Sequence, residues 1–278
     1  MNIHLYLEKQ ARKINKALES YLPKPREHPA HLNQAMRYAV LSGGKRMRPI
    51  FALAACDAVL GREKNVMPAV LALELIHSYS LVHDDLPCMD NDLLRRGKPS
   101  CHAKFGEMTA LLAGDALLTL AFQVLCRGTA PARPAGRRRA LTSMQWIAEA
   151  IGHRGMIGGQ ALDMEYQGKE MDLPTAEYIN THKSGALIAV STRVGAYLGG
   201  GSSQEVEALH CYGKYVGLLF QVVDDIMDKQ GYAQVIGVSE ARKEAGKLLE
   251  RAKKALSPLK SKGRVLSALA DFVVNREN

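Results

Sequence analysis

Residues 70–98 read VLALELIHSYSLVHDDLPCMDNDLLRRGK, and two chemistries meet inside that run. Its first half is apolar at three- and four-residue spacing, which predicts a buried α-helix. Its second half places Asp84, Asp85, Asp90 and Asp92 close together, with Arg95 and Arg96 following at once. Carboxylates crowded in this way repel one another unless a cation sits among them. Asp84 and Asp90 are six residues apart, which on a straight helix puts them on largely different faces. Pro87 resolves this, because its ring clashes with the carbonyl of His83. The helix is expected to kink or end near Asp85, and the following turn then returns Asp90 to the same ion.

A second acidic group, FQVVDDIMD (220–228), ends another apolar run, KYVGLLFQVV (214–223). Asp224 and Asp228 are four residues apart and share one helix face, where like charges destabilise unless compensated. Hard carboxylate oxygens with no Cys or His beside them suit Mg²⁺, which keeps several waters and bridges carboxylates to substrate phosphates. GGKRMRP (43–49) adds Lys45, Arg46 and Arg48 in a glycine-opened turn able to wrap an anion. The forked guanidiniums of Arg95 and Arg96 match phosphate oxygens. Carboxylates, Mg²⁺ and arginines together describe a diphosphate site, and the apolar helices imply that the rest of the substrate is hydrocarbon.

The remainder of the chain sets the frame. It has 278 residues, 47% hydrophobic and 23% charged, with no Pro/Ser tract, low-complexity run or solenoid repeat, so a single domain over 1–278 is expected. Helical periodicity dominates. HLNQAMRYAVLSGGK stops at Gly43-Gly44, and PIFALAACDAVLG begins at Pro49 and ends at Gly61. Further helices are expected at 66–85, 107–126, 136–152, 174–198, 204–228 and 239–256. The fold class is all-α, a bundle of long helices around a central apolar cavity. The formal charge of +9 suits an anionic partner, but aromatics make up only 6% of the chain and no basic stripe is interleaved with them, so no nucleic acid is expected. RPAGRRRA (133–140) reads as a solvated loop entering a helix. Five scattered cysteines without CxxC spacing indicate reduced thiols and a cytoplasmic setting. The N-terminal segment has no apolar core of a signal peptide. The greasiest stretch, MTALLAGDALLTLAFQVLC (108–126), carries Asp115 in its middle, so no transmembrane segment is expected.

GGKRMRP (43–49), HDDLPCMDNDLLRRGKPSCHAKFGE (83–107), LLAGDALL (111–118), GGQALDME (158–165), THKSGAL (181–187) and FQVVDDIMD (220–228) stand in an order that resembles the trans-isoprenyl diphosphate synthases. The form of the first aspartate motif is similar to the bacterial farnesyl diphosphate synthase type, with plant-type geranylgeranyl enzymes close behind. The resemblance implies a homodimer of all-α subunits, each with a deep apolar cavity and three Mg²⁺ ions, Mn²⁺ being a possible substitute. It implies ionisation of dimethylallyl or geranyl diphosphate and alkylation of isopentenyl diphosphate, giving a product five carbons longer. Carried over by motif, Asp84, Asp90 and Asp224 are the main metal ligands, with Asp85, Asp163, Asp225 and Asp228 in support. Arg95, Lys183 and Gln221 hold the allylic diphosphate; Lys45, Arg48, His77 and Arg96 hold isopentenyl diphosphate.

Tyr79 lies five residues before Asp84, about 7.5 Å back along the helix, where a ring would form a cavity floor. In the family a large aromatic near that position accompanies shorter products. With Ser80 beside it, the expected product is farnesyl diphosphate, with geranylgeranyl diphosphate as the alternative. One departure stands out. The family normally carries a long lysine-bearing loop after the second motif, whereas KQGYAQVIGVSEAR (229–242) follows directly here. The favoured expectation is that residues of a mobile lid are missing from the sequence rather than deleted from the protein.

Three other readings compete. Glu74–His77 and Glu207–His210 both have the Glu-x-x-His spacing of a di-iron carboxylate bundle, with Glu149 or Glu165 to be recruited, but this leaves both aspartate clusters unexplained. A catalytically impaired subunit of the same fold is opposed by the intact motifs. A terpene cyclase does not usually pair this aspartate motif with GGKRMRP.

Overall fold

The structure, a computed structural model, describes residues 2–129, 134–229 and 231–276. These form two compact units, one drawn from Asn2–Ile50 and Met67–Arg133, the other from Phe51–Val66 and Pro134–Asn278.

The first unit begins with α1 (Ile3–Tyr21), capped by Asn2, whose side-chain oxygen accepts from the amides of His4 and Leu5 at 3.0 and 3.2 Å. α2 (Ala30–Leu41) stops before the glycine pair, and α3 (Met47–Ala58) starts two residues ahead of Pro49 rather than after it; from Phe51 to Val66, within α3 and the start of the next helix, the chain belongs to the second unit. Proline is tolerated there because first-turn amides have no partner inside the helix. α4 (Glu63–Asp84) ends where Pro87 requires. The turn beyond it brings the Asp90 amide to the Asp84 carbonyl at 2.9 Å, so the chain does return on itself. A two-residue antiparallel hairpin follows, β1 (Leu94–Arg95) and β2 (Lys98–Pro99), then α5 (Cys101–Phe105) and α6 (Glu107–Thr129).

α4 and α6 approach closely, and a Cβ on Gly114 would lie 2.1 Å from His83 Nε2. That imidazole nitrogen instead meets the Leu111 carbonyl at 3.0 Å. Both helices are long and apolar enough to cross a membrane by length and composition, contrary to the expectation that 108–126 falls short. Asp115 does not lower the mean hydropathy of its window below 1.7. The two windows are 67% and 50% buried within the protein, as core helices are.

The second unit contains α7 (Pro134–Ile151), α8 (Met156–Tyr166), α9 (Leu173–Ile179), α10 (Ala186–Gly199), α11 (Ser203–Asp228), α12 (Gly231–Ile236), α13 (Val238–Ala255) and α14 (Arg264–Val274). α11 opens on a capping box between Ser202 and Glu205. Its fully buried Tyr212 donates to the Leu266 carbonyl at 2.6 Å, joining it to α14. The expected single helix over 174–198 is interrupted by a π-helical segment, Asn180–Gly185. The cause lies in its neighbours. A Cβ on Gly217 would sit 2.8 Å from Gly185 Cα, and one on Gly159 would sit 2.3 Å from the Lys183 nitrogen. Of the segment read as a loop over 133–140, Arg133 lies outside the described residues and α7 already begins at Pro134.

Candidate functional site

In the first unit the cations divide into two kinds. Arg46 was expected to wrap an anion with Lys45 and Arg48, and it does not. It is 3% exposed, ion-paired with Glu74, and donates to the Val40 carbonyl at 2.6 Å and Asn15 Oδ1 at 2.8 Å. Its φ of +53° turns it inward between its two neighbours. Glu74 is engaged through Oε1 alone, and its buried Oε2 has no hydrogen-bond partner among the described residues. Lys45 is exposed, and Arg48 Nη1 lies 3.1 Å from His77 Nε2. Arginine can only donate, so His77 accepts at Nε2 and carries its proton on Nδ1. Burial, reinforced by Arg48, Arg96, Arg46 and Arg95, holds the His77 pKa well below its usual value, keeping the imidazole neutral.

Arg96 donates to the Gly43 carbonyl. Its guanidinium packs against Gly44, whose φ of +123° is a backbone conformation that favours glycine. Arg95 is committed to carboxylates, donating from Nε to Asp85 at 2.9 Å and from Nη2 to Asp92 at 2.9 Å. Burial opposes the Arg95 charge, but Asp85, Asp92 and Asp84 outweigh it and move its pKa up. Burial also pushes the Asp85 carboxyl up, against the pull of Arg95. A small open crevice is lined by Ser78, Asp85, Arg95, Arg96 and Lys98 among others; Lys45, Arg48 and His77 do not line it. Asp90 is exposed on the turn. Tyr79 is buried against the edge of His83, with ring centroids 5.8 Å apart. Its hydroxyl has no hydrogen-bond partner, and burial first, then Asp84, pushes its pKa up to about 12. The Ser80 hydroxyl donates to the His77 carbonyl at 3.1 Å.

In the second unit an open cleft is lined by Asp163, Lys183, Gln221, Asp225 and Asp228 among others. The π segment presents Lys183, whose ammonium meets Asp163 Oδ2 at 2.6 Å. Asp225 accepts from Asn180 at 2.8 Å, Gln221 at 3.0 Å and the Tyr232 amide at 2.9 Å. Burial raises its pKa in spite of these three donors. Asp224 does not line the cleft. Its Oδ1 accepts from Arg276 Nη2 at 2.6 Å, a partner that motif reading did not find. Burial pushes the Asp224 carboxyl up, and Arg276 works against that. Among the described residues no three carboxylate, imidazole or thiol side chains converge into a closed cage. A cation bound at oxygen-only donors like these would complete its shell with water and substrate oxygens, which fits Mg²⁺.

Comparison with known proteins follows the same lines. Residues 29–245 match the polyprenyl synthetase family. The chain is 41% identical over 298 positions to a chloroplastic geranylgeranyl pyrophosphate synthase of Capsicum annuum, covering 100% of this chain and 79% of that protein. It is 41% identical over 296 positions to the large subunit 1 of a chloroplastic heterodimeric geranylgeranyl pyrophosphate synthase of Arabidopsis thaliana, covering 98% and 79%. Among solved structures, an FPP/GFPP synthase from Zymomonas mobilis superposes with a TM-score of 0.92 at 36% identity, over 98% of this chain and 99% of that one. The acidic, all-helical framework is that of a prenyltransferase of isoprenoid biosynthesis. The chain belongs to the polyprenyl synthetase family.

Where the family's lid was expected, only Gln230, which lies outside the described residues, separates Lys229 from Gly231 in this sequence. Lys229 caps α11 at φ +54°, its amide donating to the Asp225 carbonyl, and α12 begins at Gly231. A Cβ at Gly231 (φ +50°) would lie 2.7 Å from Asp225 Oδ2, so the turn is pressed onto that carboxylate. The alignment with the Capsicum relative needs 298 positions for a chain of 278 residues, so the relative carries residues that this chain lacks.

Proposed function

We propose that this chain condenses isopentenyl diphosphate with allylic diphosphates, that both acidic groups serve this one reaction, and that the product is geranylgeranyl diphosphate. The observation that carries the reading is the pairing, within each unit, of oxygen-only acidic side chains with fixed cations, in a member of this family. The twenty-carbon product is favoured over the fifteen-carbon one expected from the sequence because the Capsicum and Arabidopsis relatives are named for it. One observation supports the shorter product as a second reading. The buried Tyr79 ring, with its unpaired hydroxyl, stands one and a half helical turns before Asp84.

Asp84, Asp90 and Asp224 would hold Mg²⁺, with Asp85, Asp163, Asp225 and Asp228 in support. When bound, the metal supplies positive charge to a departing diphosphate. The chain's own groups do the rest. Lys183, oriented by Asp163, and Arg95, oriented by Asp85, aim donors at the allylic headgroup with Gln221 beside them. Arg48, held by neutral His77, acts with Lys45 and Arg96 on isopentenyl diphosphate. Donors fixed before charge develops lower the barrier without reorganisation. Apolar helix faces exclude water from the cationic hydrocarbon.

Assembly as a homodimer is part of the proposal, and the exposed Met108, Leu111 and Leu112 on α6 support it. A reducing, cytoplasmic setting is proposed from the five cysteines scattered without CxxC spacing.

The test is incubation with isopentenyl diphosphate, Mg²⁺ and dimethylallyl, geranyl or farnesyl diphosphate, with product length read by mass. A C20 product from all three starters is expected, and Asp84→Ala should abolish it without loss of fold. Products that stop at C15 select the second reading. No prenyl product from any starter removes both.

A further inference from the structure

Arg276 lies just beyond α14, four residues after Phe272 and outside every motif of the sequence. Its side chain is 5% exposed, while that of Asp224 is 32% exposed. Three attachments hold the guanidinium. Nη2 donates to the Phe220 carbonyl at 2.7 Å and to Asp224 Oδ1 at 2.6 Å, and the guanidinium carbon lies 3.6 Å over the Phe220 ring. Phe220 and Asp224 are one helical turn apart on α11, so the one nitrogen, Nη2, reaches both. Two of the attachments, the carbonyl and the ring, do not involve the carboxylate at all. The group is therefore held in place whatever Asp224 binds. It takes only one carboxylate oxygen, and no hydrogen bond reaches Oδ2 among the described residues.

We propose that Arg276 is a positioning residue that fixes the Asp224 carboxylate through Oδ1 and presents Oδ2, beside Asp228, to a divalent cation. The inference rests on the reading of Asp224 as a metal ligand. Partners of this kind set the orientation of ligating groups, and their loss typically weakens metal binding about 10- to 100-fold. Charge alone predicts the opposite sign, since deleting a cation next to a cation site would strengthen binding. The direction of the change therefore separates orientation from simple electrostatics.

The experiment titrates Mn²⁺, read by electron paramagnetic resonance, into the full chain with inorganic pyrophosphate present. Asp224→Asn is expected to weaken Mn²⁺ binding. Unchanged binding there removes the metal reading and the proposal together. With that loss established, Arg276→Met is expected to weaken Mn²⁺ binding about 10-fold, and Arg276→Lys to weaken it less. Binding by Arg276→Met as tight as wild type, or tighter, overturns the proposal and leaves Asp224 as a ligand. Circular dichroism without metal checks the fold. Should Arg276→Met fail to fold, Arg276→Gln takes its place, because it removes the charge and the reach to Asp224 while keeping a polar amide. Mn²⁺ binding by Arg276→Gln as tight as wild type, or tighter, then overturns the proposal.

Discussion

Replacing Glu74 by alanine isolates the buried pair that shapes the cationic turn. The Arg46 and Glu74 side chains are 1% and 2% exposed. With Glu74 gone, the guanidinium cannot leave, because the Val40 carbonyl and Asn15 still hold it at 2.6 and 2.8 Å. A buried charge left without its partner costs about 3–5 kcal/mol. At roughly 2–4 °C per kcal/mol for domains somewhat smaller than this chain, melting should fall by about 10 °C. The double variant Arg46→Met/Glu74→Leu removes both charges and should cost less than either single change. It keeps a residual loss of about 1 kcal/mol for each of the two acceptors that lose a donor. Urea unfolding of the wild type, both single variants and the double variant gives the cycle. Because Arg46 sits between Lys45 and Arg48, Glu74→Ala should also raise KM for isopentenyl diphosphate. A Glu74→Ala loss under about 1 kcal/mol, or a double variant as unstable as the sum of the singles, would refute the reasoning.

Two further outcomes are expected. Tyr79→Ala should lengthen the product by mass, and an unchanged chain length would show that this ring does not limit growth. Neutral His77 contributes stability that is full above its usual pKa of 6.5. That stability is lost as pH falls toward the depressed folded value, because the unfolded chain takes up the proton first. His77→Gln should therefore flatten the decline of the urea midpoint below pH 6.5, and an identical slope in the variant would count against a neutral imidazole facing Arg48, Arg96, Arg46 and Arg95.

Much of the helical order was legible because apolar period and punctuation agree. Pro87 does end α4, and the Asp90 amide does return to Asp84. Short elements such as α5, α8 and α12 escaped that reading, and so did α14, although its buried Leu266, Leu269, Ala270 and Val273 follow helical spacing. Arg46 was misread because sequence spacing shows which cations are adjacent but not which one turns inward; a positive φ decides that, and φ is not written in the residue type. Arg276 was invisible for a related reason. A lone arginine past an apolar helix carries no pattern, and its role depends on where the end of the chain lands. The turn after Asp228 was legible as a departure, but its physical form, a glycine pressed on Asp225, was not.

The meeting of Gly185 and Gly217 has a consequence for how this protein can vary. Two main chains touch there with no side chain between them. The irregular coil that carries Lys183 is thus moulded by one glycine on each side, Gly185 among its own six residues and Gly217 on the neighbouring helix. Drift at exposed Thr181 should leave that shape alone, while one added methyl at either glycine should dislodge it.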